Sequence, residues 1–223
     1  FMNDYNFISA MSELTKFISD DLSSFYLDIT KDILYCNEKE SKRRLQVQTV
    51  LNECTFTLMR LFNPILPFTM DEVNDNYPLK FEENVQLYKY PEISYEFNTN
   101  LLNDYDLIKK LRDDVLKSLE EARKSEIIGS SQEATVVLEI KDLRLKEILE
   151  DIDEDELERL FIVSKVVFKD EIKDGLELKV SNVFVKKNDG IKCDRCWNYK
   201  NNDEITEVDG VHLCPRCLKA MKK

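Results

Sequence analysis

Two short stretches decide how the last part of the chain folds: Cys193-Asp194-Arg195-Cys196-Trp197, and then Cys214-Pro215-Arg216-Cys217. Together they form a Cys-x2-Cys-x17-Cys-x2-Cys array. Two close pairs of soft thiolate ligands can complete a tetrahedron around Zn²⁺ and leave no position open for water or substrate. The array therefore predicts one structural zinc site, with these four cysteines as its ligands.

Other roles for the cysteines are less consistent with the sequence. Two disulfides would need an oxidising compartment, yet no secretory signal is present. Neither pair lies in a pattern typical of a thioredoxin-like redox site. His212 is an alternative ligand, but four thiols already complete the set, so we interpret it as a partly exposed hairpin residue. Cys36 and Cys54 lie on helical patterns and are predicted to be small buried apolar residues.

Composition and charge limit the class of protein. The 223 residues are 43% apolar, enough for one large or two modest domains. No run approaches the ~20 apolar residues of a membrane span, so we expect a soluble, cytoplasmic protein. The net charge of -12 argues against nucleic acid as a partner, but residues 186–223 carry +3. The basic part of the chain therefore coincides with the predicted zinc site.

The sequence contains no recognisable catalytic constellation. One histidine, four glycines and no Gly-rich phosphate loop leave neither a triad nor a nucleotide-binding loop. The chain opens with Phe1 inside a helical pattern, which suggests a fragment of a longer protein. We therefore expect the chemistry of the parent protein to reside elsewhere.

Hydrophobic periodicity predicts a helical first half. Apolar residues recur at steps of three and four from Asn3 to Leu34, from Val47 to Ile65 and from Leu101 to Ile127. Each of these apolar stripes predicts one amphipathic helix, and the helix of the second stripe should end or kink at Pro64 and Pro67. The third stripe places Tyr105, Ile108, Leu111, Leu116 or Val115, and Leu119 on its apolar side. The stretch between Asn76 and Thr99 is aperiodic, and we interpret it as an extended segment.

The helix predicted at residues 101–127 should stop at Gly129, and after Gly129 the period of the apolar residues changes to two. The sequence predicts strands at residues 135–140, 161–168 and 176–180, with a helix at residues 148–160. The expected fold class is mainly α with a small α/β unit. The expected domains are a helical bundle at 1–128, a β-α-β-β junction domain at 129–188 and a zinc-binding module at 189–223.

Aromatic and basic residues alternate around the cysteine pairs. They are Trp197 and Tyr199 together with Lys192, Arg195, Lys200, Arg216 and Lys219. Such a mixture suits unpaired nucleic-acid bases, which stack on the ring while cations meet phosphates. Alternatively, Trp197 covers the metal and the cations offset the charge of the four thiolates. Composition does not decide between these two interpretations.

Several motifs, in this order, resemble bacterial-type isoleucyl-tRNA synthetases over nearly the whole chain. They are Asp21-Leu22-Ser23-Ser24-Phe25-Tyr26-Leu27-Asp28, Arg43-Arg44 with Gln48-Thr49-Val50-Leu51, Pro64-Ile65-Leu66-Pro67-Phe68-Thr69 with Glu72-Val73, Leu119-Glu120-Glu121-Ala122-Arg123, and the Cys-x-Arg-Cys-Trp stretch. Each motif alone is weak evidence for the family, but the whole set in this order is specific for it.

The resemblance implies part of a class I aminoacyl-tRNA synthetase that holds the anticodon arm of tRNA(Ile). The family's catalytic domain uses ATP and Mg²⁺ and its editing domain hydrolyses mischarged valyl-tRNA; both lie upstream of the region that this chain resembles. The parent is then an isoleucine-tRNA ligase, monomeric, with no DNA or membrane partner. This piece alone would have no catalytic site.

The resemblance also implies roles for single residues. The four array cysteines match the family's zinc ligands, while Arg195 and Trp197 match residues that approach the anticodon loop. Arg43 and Arg44 match a pair of arginines at a helix start; alternatively, they form a salt bridge with Asp28 or Asp32. Lys192 and Arg216 complete the predicted tRNA-binding set. Two positions depart from the family: Asn74 replaces a tryptophan and Glu126 a basic residue, which weakens any phosphate contact there.

The sequence leaves two other functions open. The DNA glycosylases of the formamidopyrimidine type carry a similar zinc finger, although their β-sandwich does not fit the helical stripes. A zinc-stabilised protein-interaction module without an RNA role is the third possibility.

Overall fold

A computed structural model describes residues 1–80, 82–91 and 96–221. The chain divides into two compact units, Phe1–Glu38 with Asn98–Lys223, and Lys39–Phe97. None of the helices in the described residues is both long and apolar enough to cross a membrane. Helices with small sheets make up the described structure, in agreement with the predicted fold class.

The first unit begins with one long helix. Its parts are α1 (Phe7–Lys16), a π-helical stretch (Phe17–Leu27) and α2 (Asp28–Cys36). The Asn6 side chain caps the start by accepting a hydrogen bond from the Ser9 N–H at 3.2 Å. The predicted helix over residues 3–34 is thus confirmed, with its two ends shifted towards the C-terminus.

In the second unit, α3 (Lys42–Phe62) is followed by α4 (Pro67–Asn76). The predicted interruption by proline is confirmed, because α4 starts at Pro67, where the fixed φ suits a first helical position. Asn74 is fully buried, and its amide donates to Glu82 O at 3.2 Å. The amide thus ties the following segment to α4.

That following segment was predicted to be extended from Asn76 to Thr99. Its described residues contain one 3-10 turn, Val85–Leu87, and Val85 is 1% exposed. Residues 81 and 92–95 lie outside the described part, as do Lys222 and Lys223 of the predicted metal-binding module.

The central helix of the first unit is α5 (Thr99–Lys124), capped by the Asn98 side chain. Its buried apolar residues are Ile108, Leu111, Val115, Leu119 and Ala122. The prediction that Tyr105 lies on this apolar side is wrong, because Tyr105 is 47% exposed. The predicted end at Gly129 also needs correction, because Glu126 already takes the left-handed conformation, with φ 58°.

A four-stranded sheet packs against α5 in the order β2-β1-β4-β3. The strands are β1 (Ala134–Ile140), β2 (Lys165–Phe168), β3 (Leu176–Glu177) and β4 (Ser181–Lys187). β1 pairs with β2 in parallel and with β4 in antiparallel register. β1 is one of the two inner strands, with β2 and β4 as its neighbours, and nearly all of its residues are buried.

Two parts of this unit differ from the prediction. Instead of one helix at 148–160, the chain forms α6 (Leu143–Glu150) and α7 (Glu154–Phe161). The predicted strand at 176–180 is confirmed only as the two residues of β3, and the sequence did not predict β4, which is the main partner of β1. β4 begins with buried polar residues that find partners in the fold: Ser181 Oγ donates to Asp114 Oδ2 at 3.0 Å.

Arg112 on α5 connects the sheet layer to the long helix. Its guanidinium donates to Leu160 O at 3.0 Å and to Asp28 Oδ2 at 2.8 Å. Arg112 is 7% exposed, so these bonds satisfy a buried charge. They place α2 beside α7, where the metal centre is found.

Candidate metal centre

The first cysteine pair lies in a tight turn between two very short strands. β5 (Ile191–Lys192) and β6 (Tyr199–Lys200) pair in antiparallel fashion. Between them, the Cys193 N–H donates to Asn198 O at 2.9 Å, and the Trp197 N–H donates to Cys193 O at 2.8 Å. Trp197 is thereby forced to φ 66°, a left-handed conformation that bulky residues rarely take.

The second cysteine pair follows a β-hairpin. β7 (Thr206–Val208) and β8 (Val211–Leu213) are joined by Asp209-Gly210, both with positive φ, as a tight two-residue turn requires. Cys214 stands at the end of β8, and Cys217 lies in the first turn of α8 (Pro215–Met221).

The fold brings all four predicted ligands together. Their sulfur atoms lie within 4.8 Å of one another. Cys193, Cys214 and Cys217 are at most 4% exposed, while Cys196 is partly exposed. The Cys214 N–H also donates to Cys193 Sγ at 3.4 Å, which joins the two halves of the cluster.

The donor set fits a soft divalent cation. The pKa of Cys196 is raised to about 11, first by its hydrogen bond with Cys214. The pKa of Cys217 is also raised, first by its hydrogen bond with Cys196. Thiolates packed this closely repel one another, so protons stay bound between the sulfur atoms. A divalent metal ion replaces those protons and removes the repulsion, and the cluster can therefore hold one.

His212 lies beside the cluster and not within it. Its backbone N–H donates to Asp194 Oδ2 at 2.7 Å, and its carbonyl accepts from the Asp194 N–H at 2.9 Å. These bonds fasten the β7–β8 hairpin to the first cysteine turn, which agrees with a hairpin role for His212.

Two of the predicted RNA-contacting arginines bind the end of α2. The Arg195 guanidinium donates to Cys36 O at 2.6 Å and to Tyr35 O at 3.0 Å. Carbonyls at a helix C-terminus lack helical partners, and a cation there is favourable. Arg216 forms a two-bond pair with Asp32, with Nη2 and Oδ1 2.8 Å apart. Each cysteine pair therefore contributes its arginine to hold α2.

Further contacts fix the cysteine-rich segment to the same unit. Lys200 Nζ lies 3.0 Å from Glu158 Oε2 on α7, and the Tyr199 N–H donates to Ser164 Oγ at 2.6 Å. Lys219 reaches Glu38 at 3.3 Å, although its side chain is 77% exposed. Most cations near the metal cluster thus have intramolecular partners.

Cys36 is a contributor that the sequence did not reveal. It is 7% exposed and packs with Cys193, Cys214 and Cys217. The predicted burial is confirmed, but its neighbours include three thiols of the array and not only apolar side chains. Local patterns could not show this, because Cys36 is 157 positions before Cys193.

Trp197 and Lys192 remain on the surface. The indole is 59% exposed, and Lys192 Nζ lies 5.6 Å from its ring centroid. The apolar side chains that do pack against the cysteine cluster are Leu213, Ile205 and Leu218. An indole this exposed is available to a ligand.

Arg43 and Arg44 lie at the start of α3. The Arg44 N–H donates to Ser41 Oγ at 3.3 Å, so Ser41 caps the helix. The two acids considered as their partners have other partners: Asp28 binds Arg112 and Asp32 binds Arg216.

Comparison with known proteins gives the family. A family model described as the anticodon-binding domain of tRNA ligase matches residues 1–138, more than half of the chain. The chain belongs to this family. The match covers the long helix, α3 to α5 and most of β1, while α6, α7, α8 and the four array cysteines lie beyond it.

Similar proteins agree with the resemblance to isoleucyl-tRNA synthetases. A protein of Fervidobacterium nodosum named isoleucine–tRNA ligase is 39% identical over 223 residues, 100% of this chain and 24% of its own length. The protein of that name from Macrococcus caseolyticus is 40% identical over 99% of this chain and 23% of its own. The chain spans about a quarter of the length of these relatives.

Proposed function

We propose that this chain is the tRNA-binding part of an isoleucine–tRNA ligase and that it holds the anticodon arm of tRNA(Ile). Support comes from the family match over residues 1–138 and from relatives that carry this name. The geometry of the Cys193–Cys196 turn agrees, because it presents an aromatic ring beside a cation on the surface.

The observation that carries the proposal is the position of Trp197. A bulky residue at φ 66° costs free energy, and a 59% exposed indole recovers little of it through packing. Strained positions of this kind are concentrated at functional sites. An anticodon loop offers unpaired bases that stack on such a ring, while Lys192 neutralises a phosphate.

The other cations divide into two groups in this proposal. Lys192, Arg43 and Arg44 contact the RNA directly. Arg195 and Arg216 act through position, because their guanidinium groups already bind the end of α2. They hold the cysteine turns, and with them Trp197, against the helical part of the unit.

We further propose that Cys193, Cys196, Cys214 and Cys217 bind one structural Zn²⁺. Four thiols and no open position give the ion a folding role without catalysis. The zinc module would then span residues 189–223, after a helical anticodon-binding domain at 1–128 and a junction domain at 129–188.

The parent activity follows from the relatives' name. It would join isoleucine to tRNA(Ile) in the cytoplasm, using ATP and Mg²⁺ and releasing AMP, and would edit mischarged valine. Because the chain covers 24% of such a relative, the proposal places catalysis outside these 223 residues. The proposed parent is monomeric.

The test is filter binding of the zinc-loaded chain to the anticodon stem-loop of tRNA(Ile) at two salt concentrations. We expect binding that weakens steeply with salt, because phosphate contacts release counterions. The matched control is the same strand closed into a perfect duplex, which keeps the phosphates and removes the unpaired bases. The control should bind more weakly.

The alternatives give different results in the same assay. A protein-interaction module would show no RNA binding to lose at high salt. A finger of the DNA glycosylase type would bind duplex DNA at least as well as the RNA loop. Either outcome would reject the proposed function.

A further inference from the structure

Cys36, the last residue of α2, adds a fifth thiol to the cysteine cluster. Its side chain is 7% exposed and belongs to the same buried cluster as Cys193, Cys214 and Cys217, and α2 packs against α8, the helix that carries Cys217. The four array sulfur atoms lie within 4.8 Å of one another. They suffice for a tetrahedral ion, so Cys36 stands immediately outside a complete ligand set.

The position of Cys36 is built by both cysteine pairs. Arg195, inside the first pair, binds the Cys36 carbonyl at 2.6 Å. Arg216, inside the second pair, binds Asp32. Asp32 and Cys36 are four residues apart, so they lie on the same face of α2. The two arginines therefore hold that face, and the Cys36 thiol with it, against Cys217.

We propose that Cys36 is a reserve zinc ligand that replaces Cys217 when the Cys217–zinc bond breaks. The inference rests on the proposed zinc centre. In the exchange, the Cys36 sulfur bonds to the ion as the Cys217 sulfur leaves, and the Cys36 proton moves to Cys217. The number of thiolates on the ion and the net charge are unchanged, so no oxidant or reductant takes part.

Cys54 provides a matched comparison within the same chain. It is also free and helical, but it lies on α3 and is only partly buried. In the described part of the chain, Cys54 is not a member of the buried cluster that contains Cys36 and the array cysteines. A cysteine that merely fills space should behave as Cys54 does in every metal-binding measurement.

The first experiment counts sulfur ligands with Co²⁺, whose absorption spectrum reports thiolate number and tetrahedral geometry. We expect Cys217→Ala to keep a four-sulfur spectrum. Adding Cys36→Ser should reduce it to three sulfurs, whereas adding Cys54→Ser should not. Cys193→Ala is the control for an array ligand, and it should give three sulfurs. A three-sulfur spectrum in Cys217→Ala alone would overturn the proposal.

The second experiment leaves all four array ligands intact, so it does not depend on a variant that fails to fold. Zinc transfer to a chelator is followed in the unmutated chain and in Cys36→Ser. We expect about 10-fold faster transfer in Cys36→Ser, within the range for losing a group that supports a metal ligand. Cys54→Ser should match the unmutated chain. Equal rates in all three would overturn the proposal, while failure of the unmutated chain to bind zinc would reject the zinc centre itself.

Discussion

Trp197 combines a left-handed backbone with an exposed ring. Folding alone does not favour this combination, because glycine would take φ 66° without strain. The indole is next to Lys192 and away from the apolar residues that cover the sulfur atoms. At the scale of a single residue, these features favour contact with RNA over a role as a cover for the metal.

Trp197→Ala should weaken binding of the tRNA(Ile) anticodon arm by about 1–3 kcal/mol, the scale for losing one base–aromatic stack. Zinc content should stay near one equivalent, because no ligand is touched. Filter binding and metal analysis measure the two effects. Phe168→Ala, at another exposed aromatic residue, is the control and should leave affinity unchanged. Unaltered affinity in a zinc-loaded Trp197→Ala chain would contradict the stacking role.

Arg216 is the second residue whose role the structure changes. Its guanidinium pairs with Asp32, and Arg216 itself stands between Cys214 and Cys217, so it joins α2 to the cysteine cluster. Both side chains of the pair are less than one-third exposed. A partly buried pair with two bonds contributes more than an exposed ion pair.

Arg216→Met should lower the free energy of unfolding by about 1–3 kcal/mol, because Asp32 loses its charged partner while partly buried. Urea denaturation of the zinc-loaded chain measures this value. Lys219→Met is the control, and its exposed pair with Glu38 should cost less than about 1 kcal/mol. In a double-mutant cycle with Asp32→Asn, most of this loss should be found as coupling free energy between Arg216 and Asp32. Additive effects would show that the pair contributes nothing.

At the scale of elements, the end of α5 shows how a helix stops without glycine. The Ile127 N–H donates to Ala122 O and the Glu126 N–H to Arg123 O, the two bonds of a Schellman motif. Glu126 occupies the left-handed position of that motif at φ 58°. The sequence predicted that the helix would end at Gly129, because glycine is the usual residue at the left-handed position that follows a helix.

Glu126→Gly should stabilise the chain by about 0.5–1 kcal/mol, because glycine takes the left-handed conformation without strain. The gain is smaller than the strain itself, because glycine also raises the conformational entropy of the unfolded chain. Thermal and urea unfolding measure the change. Ser125→Gly, one residue earlier at φ -86°, should destabilise the chain, since no strain is relieved there. Equal effects of the two glycines would argue against the capping explanation.

At the scale of the whole molecule, the cysteine cluster and α2 depend on each other. Arg195, Arg216 and Cys36 connect them, and Lys200 adds a bond to α7. Loss of the metal should therefore affect more than the residues after Ile191. The final turn of α2 should lose order as well, because its carbonyls lose the Arg195 guanidinium.

Cys214→Ser should abolish tight zinc binding and raise amide hydrogen exchange both after Ile191 and around Cys36. The core of α5 and β1 should keep its protection, because its apolar contacts do not involve the metal. Exchange measured by mass spectrometry distinguishes these regions, and chelation of the unmutated chain is the matched comparison. Global unfolding, or exchange confined to residues after Ile191, would contradict this coupling.

Local patterns in the sequence predicted the four cysteines that cluster in the fold, the long helices and β1. Cysteine spacing and hydrophobic period act within a few residues, so they can be read without a fold. Tertiary structure alone decided that Arg216 meets Asp32, 184 residues away, that Cys36 joins the thiols, and that Trp197 stays exposed. It also decided that β4, with its buried polar start, is the main partner of β1. These outcomes depend on contacts between residues that are distant in sequence. Such contacts produce no local pattern from which they could be predicted.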